Sequence, residues 1–456
     1  MRRILFATAF VLFAGGLSAQ NNDSATIKRI SDEILSNGTA YTNLKFLCKQ
    51  VGPRLSGSAQ AEKAVRETAR MMKEAGADTV WLQEVMVPHW TRGAKEEAQL
   101  VMADGTKKPL KVTALGNSVG TPAGGIKANV IEVRSMEELN QLGQTVKGKI
   151  VFFNHKMDPT FIRTFQAYGE AGIYRFRGPS MAAKYGAIGV IVRSLASNPD
   201  DHPHTGATGY IDSFPKIPAV AISTNDADML SRMLKLRMAP SQVYFKTNCQ
   251  MLPDVKSYNV IGEIRGKEFP DEIITVGGHL DSWDLAEGAN DDGSGCVQSI
   301  EIIRAMKALG IQPKRSIRAV MFMNEENGLK GATQYAAVAK TDGKKHIFAL
   351  ESDAGGFTPR GFSIAFSDAQ KAKTDPWKRL LLPYGSYEFL DFGGGADVGP
   401  LKSVGAVVAE LLPDSQRYFD IHHAETDVFE NVSRRELHLG AVNMAGLVWL
   451  VSEYGL

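Results

Sequence analysis

Cysteine is scarce in this sequence. Cys48, Cys249 and Cys296 are the only three in 456 residues, and an odd count permits at most one internal disulfide. This excludes a scaffold held together by disulfides, and the spacing of the three residues does not fit a cysteine-rich zinc motif. A metal site in this chain must therefore use histidine and carboxylate side chains.

A strong charge imbalance is also absent. The chain has 52 Lys and Arg against 50 Asp and Glu, which gives a formal net charge of +2 at pH 7. Such a balance gives no reason to expect a nucleic-acid partner or attraction to an anionic membrane. Beyond the N-terminus there is no uninterrupted apolar run of about 18 residues, so we expect no stable membrane insertion.

The N-terminus is the exception to this lack of apolar runs. In MRRILFATAFVLFAGGLSAQ, Arg2 and Arg3 precede an apolar stretch from Ile4 to about Ala14, and small residues follow. The stretch is too short to span a membrane and is typical of a secretory signal peptide. We therefore predict a signal peptide at residues 1–19 and an exported protein, periplasmic or secreted. The alternative is an N-terminal membrane anchor.

The length of the chain predicts two domains, because 456 residues exceed one ordinary hydrophobic core. Strands and helices alternate within residues 120–253, which predicts a compact α/β module inserted into a larger domain. Residues 20–119 and 254–456 are expected to form that larger domain, with Asp254–Ser257 as the returning linker.

From Tyr258 onward, buried strands alternate with helices. The segments Ile273–Val276, RSIRAVMFM, KHIFAL and VGAVVAEL predict strands, and GSGCVQSIEIIRAMKALG predicts a helix between the first two. This alternation predicts an α/β fold in which a doubly wound, mostly parallel sheet is flanked by helices.

Acidic residues and histidines collect where these strands end. The segment GGHLDSWDLAEGANDDGSG follows the first strand, and shorter acidic segments follow the next two. Because ligands bind outside the carboxyl ends of parallel strands, these side chains should converge on one cleft. The residues concerned are His279, Asp281, Asp291, Glu325, Glu326, Asp353, His422 and His423.

A cleft of this kind would hold several carboxylates that repel one another. Unpaired buried charge is costly, so they must be protonated or neutralised by cations. Imidazole and carboxylate ligands suit Zn²⁺, with Mn²⁺ or Co²⁺ possible, and their number suits two ions sharing a carboxylate. Taken singly, Asp291-Asp292 could cap a helix and Glu325-Glu326 could begin one. Their joint occurrence at strand ends favours a metal site.

These motifs resemble those of the co-catalytic di-zinc exopeptidases, a family that includes bacterial leucyl aminopeptidases and glutamate carboxypeptidases. The segments VGPRLSGS, GGHLDSWD, GANDDGSG, NEENGLKGA, ESDAGG, GGGADVGPL and HHAETD occur in the family's order, and the likeness is greatest to the carboxypeptidase Q group. Within residues 120–253, KGKIV, KYGAIGVIV and IPAVAIS resemble a protease-associated domain. The resemblance covers almost the whole chain after residue 19 and implies the zinc exopeptidase fold, short peptide substrates and a homodimer.

The resemblance also implies a role for each residue of the site. Asp291 would bind both of two Zn²⁺ ions, with His279 and Asp353 on one ion and Glu326 and His423 on the other. Glu325, which adjoins a ligand without being one, would be the general base. Asp281 would accept the second ring N–H of His279 and so orient that ring.

Two details of this assignment depend on spacing within the family motifs. His423 is favoured over His422 because it stands four residues before Asp427. The family often has Asp-Thr at that place, whereas this chain has Asp427-Val428. Asp397, in the segment GADVG, is a further candidate for supporting the cleft.

The activity implied is hydrolysis of dipeptides or short peptides by an exported metallo-exopeptidase, in which Glu325 activates a water that bridges the two metal ions. The alternatives are an aminopeptidase acting on longer peptides, a related di-zinc amidase such as a glutaminyl cyclase, and a non-catalytic receptor-like relative. Because all five ligand positions and Glu325 are present, a catalyst is favoured over a receptor-like protein.

Overall fold

The structure is a computed structural model that describes residues 22–102, 104–236 and 242–456. The predicted signal peptide, residues 1–19, lies outside the described residues. Within those that are described, no helix has the length and apolar character needed to cross a membrane.

Within the part of the chain that the structure describes, the strands form two sheets of eight strands each. The strands are β1 (Thr79–Thr91), β2 (Glu97–Val101), β3 (Lys107–Pro109), β4 (Val112–Ala114), β5 (Ile126–Val133), β6 (Ile150–Phe153), β7 (Gly189–Arg193), β8 (Ala219–Ile222), β9 (Gln242–Lys246), β10 (Gln250–Ile264), β11 (Phe269–His279), β12 (Arg315–Phe322), β13 (Lys345–Glu351), β14 (Pro359–Ile364), β15 (Glu388–Leu390) and β16 (Val407–Pro413).

Helices cover both sheets. They are α1 (22–37), α2 (Ala40–Phe46), α3 (Ala59–Glu74), α4 (Met136–Leu142), α5 (Thr164–Phe176), α6 (Gly178–Lys184), α7 (Thr224–Lys235), α8 (Ser294–Ala308), α9 (Lys330–Ala339), α10 (Asp368–Thr374), α11 (Trp377–Leu381) and α12 (Arg434–Tyr454).

The first sheet has the strand order β1-β10-β12-β11-β13-β16-β14-β15. Its four central strands, β12, β11, β13 and β16, run parallel. The prediction of a mostly parallel sheet is therefore correct for the centre. Towards the edges, β1 pairs antiparallel with β10, β10 with β12, and β14 with β16, whereas β14 and β15 are parallel. The sheet as a whole is mixed.

Both faces of the parallel centre are buried. Along β12, Ala319 and Met321 pack with α8 and α12, whereas Val320 and Phe322 pack with α9 on the opposite face. Alternate side chains of a strand point to opposite faces, so a strand covered on both sides reads as a continuous apolar run. Every residue of β12 is buried, which is why its segment could be recognised as a strand.

The expected linker at Asp254–Ser257 is instead part of β10. This strand pairs with β1 over almost its whole length, from the Thr79–Glu263 pair to the Thr91–Gln250 pair. The chain thus leaves and re-enters the first sheet as an antiparallel ribbon, in which the facing backbone groups of the two strands are paired. The composition of Asp254–Ser257 is typical of a turn, so this strand pairing could not be predicted from it.

The second sheet has the order β3-β2-β9-β5-β6-β7-β8-β4, with β5 to β8 parallel. Along β6, Val151 and Phe153 face one apolar core, and Ile150 and Phe152 face another. Strands β2 to β4 precede residue 120, so this sheet begins earlier in the chain than the module predicted at 120–253. The division of the chain into domains stays a prediction.

Candidate metal centre

The predicted site residues lie at one edge of the first sheet. His279 is the last residue of β11, Glu325 and Glu326 follow β12, and Asp353 follows β13. Since β11 is parallel to both of its neighbours, the carboxyl ends of all three strands meet there. Asp291 reaches the same place from the loop before α8.

Asp291 lies between two histidines. Its Oδ1 is 3.2 Å from Nε2 of His279, and its Oδ2 is 3.2 Å from Nε2 of His423. Nε2 of His279 is also 3.2 Å from Oδ1 of Asp353, and Nε2 of His423 is 3.1 Å from Oε2 of Glu326. The five predicted ligands therefore form two half-sites that share Asp291.

The donor atoms of the site suit cations. Nitrogen and oxygen atoms of His279, Asp291 and Glu326 all lie within 4.8 Å of one another, and so do those of His279, Asp292 and Asp353. Among the described residues, Oδ2 of Asp291 and Oδ1 of Asp353 are buried without a hydrogen-bond partner. Buried carboxylate oxygens need a proton, a donor or a metal ion, and zinc accepts these N and O donors.

Electrostatics at the site depend on the same short contacts. Burial alone would raise the pKa of Asp291, but the neighbouring imidazoles of His279 and His423 outweigh burial and hold that pKa well below 3.8. Burial alone would lower the pKa of His279, but the carboxylates of Asp353 and Asp291 raise it well above 6.5. Negative charge is therefore concentrated around both imidazoles.

Glu325 stands beside this cluster but outside it. It belongs to none of the groups of mutually close donor atoms that the described residues form. Burial, reinforced by the neighbouring carboxylates of Asp353 and Glu326, raises its pKa to about 8. A carboxyl group near the ligands that does not join them is placed as a general base would be.

His422 and His423 both approach Asp291, but not equally. Nε2 of His422 is 3.5 Å from Oδ2 of Asp291, and its ring stacks on that of His423 with centroids 3.5 Å apart. His423 lies nearer to Asp291 and is the one that also contacts Glu326. The geometry therefore favours His423, although His422 can also form a group with Asp291.

Asp281 orients His279 in a different way from the one expected. Nδ1 of His279 donates to the main-chain carbonyl of Asp281 at 2.9 Å, whereas the nearer carboxylate oxygen is 3.9 Å away. That carboxylate oxygen instead accepts from the backbone N–H groups of Asn324 and Glu325, at 2.7 and 3.0 Å. Asp281 thus fixes both the ring of a ligand and the loop that carries Glu325.

Further acidic residues hold the backbone of the site. Asp427 accepts hydrogen bonds from the N–H groups of Asn290 and Asp291 at 2.8 and 3.1 Å. In the sequence analysis this residue served only to choose between His422 and His423. Asp397 is fully buried but lies beside Glu351, whose Oε2 accepts from its N–H at 2.9 Å. Both carboxylate oxygens of Asp397 lack a partner among the described residues, so the structure gives it no direct contact with the ligands.

Sequence analysis missed the residues that reach the site from the second sheet. The carbonyl of Thr205 contacts the ring of His423, and the guanidinium of Arg175 lies against both. Nothing in the local sequence around these residues indicates a site, since each stands more than 200 positions from His423 in the chain.

Comparisons with known proteins found a family match and several similar chains. Residues 259–448 match the model of "Peptidase family M28". Carboxypeptidase Q of Bos taurus is 36% identical over 415 residues, which covers 91% of this chain and 84% of that protein. A crystal structure of a peptidase M28 precursor from Shewanella amazonensis superposes with a TM-score of 0.90 at 32% identity, covering 95% of this chain and 97% of the other.

A zinc aminopeptidase from Bacillus subtilis is more distant. It superposes with a TM-score of 0.66 at 21% identity, covering 91% of this chain and 95% of that one, and so shows likeness of fold alone. Taken together, the fold, the site and the closer relatives define a metallopeptidase. The chain belongs to peptidase family M28, as its motifs predicted.

Proposed function

We propose that this protein is an exported exopeptidase that hydrolyses dipeptides or short peptides with two Zn²⁺ ions. The observation that carries the proposal is the position of Asp291, whose two carboxylate oxygens each lie 3.2 Å from a different imidazole. One carboxylate in contact with both half-sites is the arrangement that a two-metal hydrolase requires.

The five predicted ligands would hold both ions. His279 and Asp353 would bind one, Glu326 and His423 the other, and Asp291 both. Bound there, the two ions would lower the pKa of a shared water and polarise the scissile carbonyl. Zinc is supported by the donor set, with Mn²⁺ or Co²⁺ also compatible.

Glu325 supplies the proton transfers. Burial and the neighbouring carboxylates raise the pKa of Glu325 to about 8. Positive charge beside a carboxyl group lowers its pKa, so Glu325 would be ionised in the loaded site. Its carboxylate takes the proton of the attacking water and then delivers it to the leaving amine. The bonds from Asn324 and Glu325 to Asp281 hold the main chain at this position.

Export and self-association complete the proposal. The charged, apolar and small-residue pattern of residues 1–19 supports cleavage and export. Residues 120–253, which supply β5 to β9 of the second sheet, are proposed as a protease-associated domain that lines the cleft, because Thr205 and Arg175 reach the site from them. Homodimerisation stays a prediction from the family resemblance.

The test is an assay of free amino acid release from a panel of dipeptides. The full chain, freed of metal by a chelator and then reloaded with Zn²⁺, should regain activity together with two equivalents of zinc. Release that is unaffected by the chelator would contradict the proposal. Cleavage of long peptides in preference to dipeptides would favour the aminopeptidase alternative.

A further inference from the structure

A cavity of about 190 Å³ lies at one edge of the first sheet, between β15 and the helices α10, α11 and α12. Its interior is apolar and is lined by Ile364, Trp377, Leu381, Phe389 and Leu447. Protein interiors are close-packed, and voids larger than a water molecule are few. An apolar cavity of about 150 Å³ can hold a benzene ring, so this one has room for a side chain the size of leucine or phenylalanine.

Four charged residues stand at the mouth of this cavity. Lys371 pairs with Asp391 at 3.1 Å, and Lys378 pairs with Asp375 at 2.8 Å. All four side chains are more than one-third exposed, and exposed ion pairs of this kind contribute little to stability. Either pair can therefore be exchanged for contacts with a ligand at little cost. The cavity thus joins an apolar interior to an opening that carries both signs of charge.

The cavity shares a wall with the cleft next to the metal centre. That cleft has a volume of about 450 Å³ and is lined by Ala354, which directly follows the predicted ligand Asp353. Leu390, the last residue of β15, lines both the cavity and the cleft. A ligand in the cavity would therefore contact a strand that also forms part of the wall of the cleft.

We propose that this cavity binds a free amino acid with an apolar side chain. The side chain would fill the apolar interior, and its removal from water supplies the affinity. The carboxylate would meet Lys371 or Lys378. The ammonium group would meet Asp375 or Asp391, because a free amino acid carries one charge of each sign on the same carbon atom. The site does not depend on the proposed function, although amino acids of this kind are among the products which that function would release.

The experiment is a calorimetric titration of the full-length, zinc-loaded protein with L-leucine. One equivalent should bind at a site that keeps its affinity after a chelator has removed the zinc, because the cavity contains no predicted metal ligand. N-Acetyl-L-leucine lacks the ammonium group and L-leucinamide lacks the carboxylate. Each should bind there about 10–100-fold more weakly, since each loses a contact between charged groups. Glycine has no side chain to fill the interior and should not bind.

Two variants test the location of the site. Leu447→Phe adds a ring to the interior of the cavity and should abolish leucine binding. Lys371→Gln combined with Lys378→Gln removes the positive charges of the mouth, so leucine should bind about 10–100-fold more weakly while leucinamide binds as it does to the wild type. Lys373→Gln is the matched control, because Lys373 is an exposed lysine of α10 that donates to the carbonyl of Tyr454. It should bind leucine as the wild type does.

Leucine binding that disappears with the zinc belongs to the metal centre and overturns the inference, as does binding that neither variant weakens. N-Acetyl-L-leucine bound as tightly as leucine would show a site for apolar carboxylates in general and would also overturn it. If Leu447→Phe does not fold, the lysine variant decides alone, because its substitutions lie at the surface. The titrations measure no hydrolysis, so a failure of the proposed function would leave their result unchanged.

Discussion

The main-chain carbonyl of Thr205 accepts a hydrogen bond from Nδ1 of His423 at 3.3 Å. The backbone N–H of Thr205 donates to the carbonyl of His423 at 2.9 Å, and Nδ1 of His204 donates to the carbonyl of His422 at 2.6 Å. The segment between β7 and β8 of the second sheet thus holds the loop that carries a predicted ligand. With its proton on Nδ1, His423 presents a free Nε2 to Glu326 and Asp291.

The first prediction concerns Glu325, which the proposed mechanism uses only for proton transfer. Glu325→Gln keeps the shape of the side chain but cannot accept a proton. We expect kcat to fall about 10²–10⁴-fold while two equivalents of zinc stay bound. Metal analysis and dipeptide hydrolysis on the same preparation check this, and an inactive variant that has also lost zinc would show that Glu325 is a ligand instead.

The second prediction concerns Asp291, the residue shared by both half-sites. Asp291→Asn removes the negative charge that faces His279 and His423, so affinity should decrease for both ions rather than for one. Calorimetric titration of the metal-free protein with Zn²⁺ measures the affinity for both ions. Asp375→Asn is the control, because Asp375 is exposed and pairs with Lys378. Two ions bound with normal affinity by Asp291→Asn would contradict the shared role.

The third prediction concerns Asp427, which accepts from the N–H groups of Asn290 and Asp291. Asp427→Ala leaves these buried donors without their partner and releases the backbone on which Asp291 stands. Loss of a residue that orients a ligand typically costs about 10–100-fold in metal affinity or activity. Zinc affinity measured by competition with a chelator checks this. Asp427→Asn retains one acceptor and should recover part of the loss.

The fourth prediction concerns His438, which lies in the second turn of α12. Burial, with the positive charge of Arg434, lowers its pKa from 6.5 to about 4, and its Nε2 accepts from the N–H of Tyr41 at 3.4 Å. The folded protein therefore binds fewer protons than the unfolded chain between these values. This part of the stability is present above about pH 6.5 and is lost as the pH falls towards about 4.

The measurement is urea unfolding at several pH values. His438→Gln cannot be protonated, so the wild type should lose roughly 1–2 kcal/mol more than the variant between about pH 7 and pH 4, after allowance for solvent screening. A variant whose stability changes with pH in parallel to the wild type would show that His438 does not contribute to acid sensitivity.

Much of the first sheet could be predicted because its signals are local. Ile273–Val276 is a short apolar run between polar segments, and the structure places it in β11. The helix α8 was also predicted, from the segment GSGCVQSIEIIRAMKALG. It is buried on nearly all sides, because α2 and α12 pack against it as well as the sheet. Those contacts depend on distant segments.

The boundaries of the second sheet could not be predicted from local sequence patterns. Strands β2 and β4 are short, and their partners β9 and β8 lie more than 100 residues further along the chain. Likewise, Asp254–Ser257 has the composition of a turn but pairs with β1. Pairing of this kind is decided by which strand edges meet in space, and residue composition gives little information about it.

The sequence by itself determined which donors are predicted for the metal centre and where along the chain each one occurs. His279, Glu326 and Asp353 directly follow apolar runs, and parallel strands must bring such positions to one edge. Only the tertiary structure decided that the Asp281 carbonyl orients His279, and that Thr205 and Arg175 complete the site. These contacts join segments up to 248 residues apart; their geometry follows from how the two sheets pack together, and no local pattern encodes it.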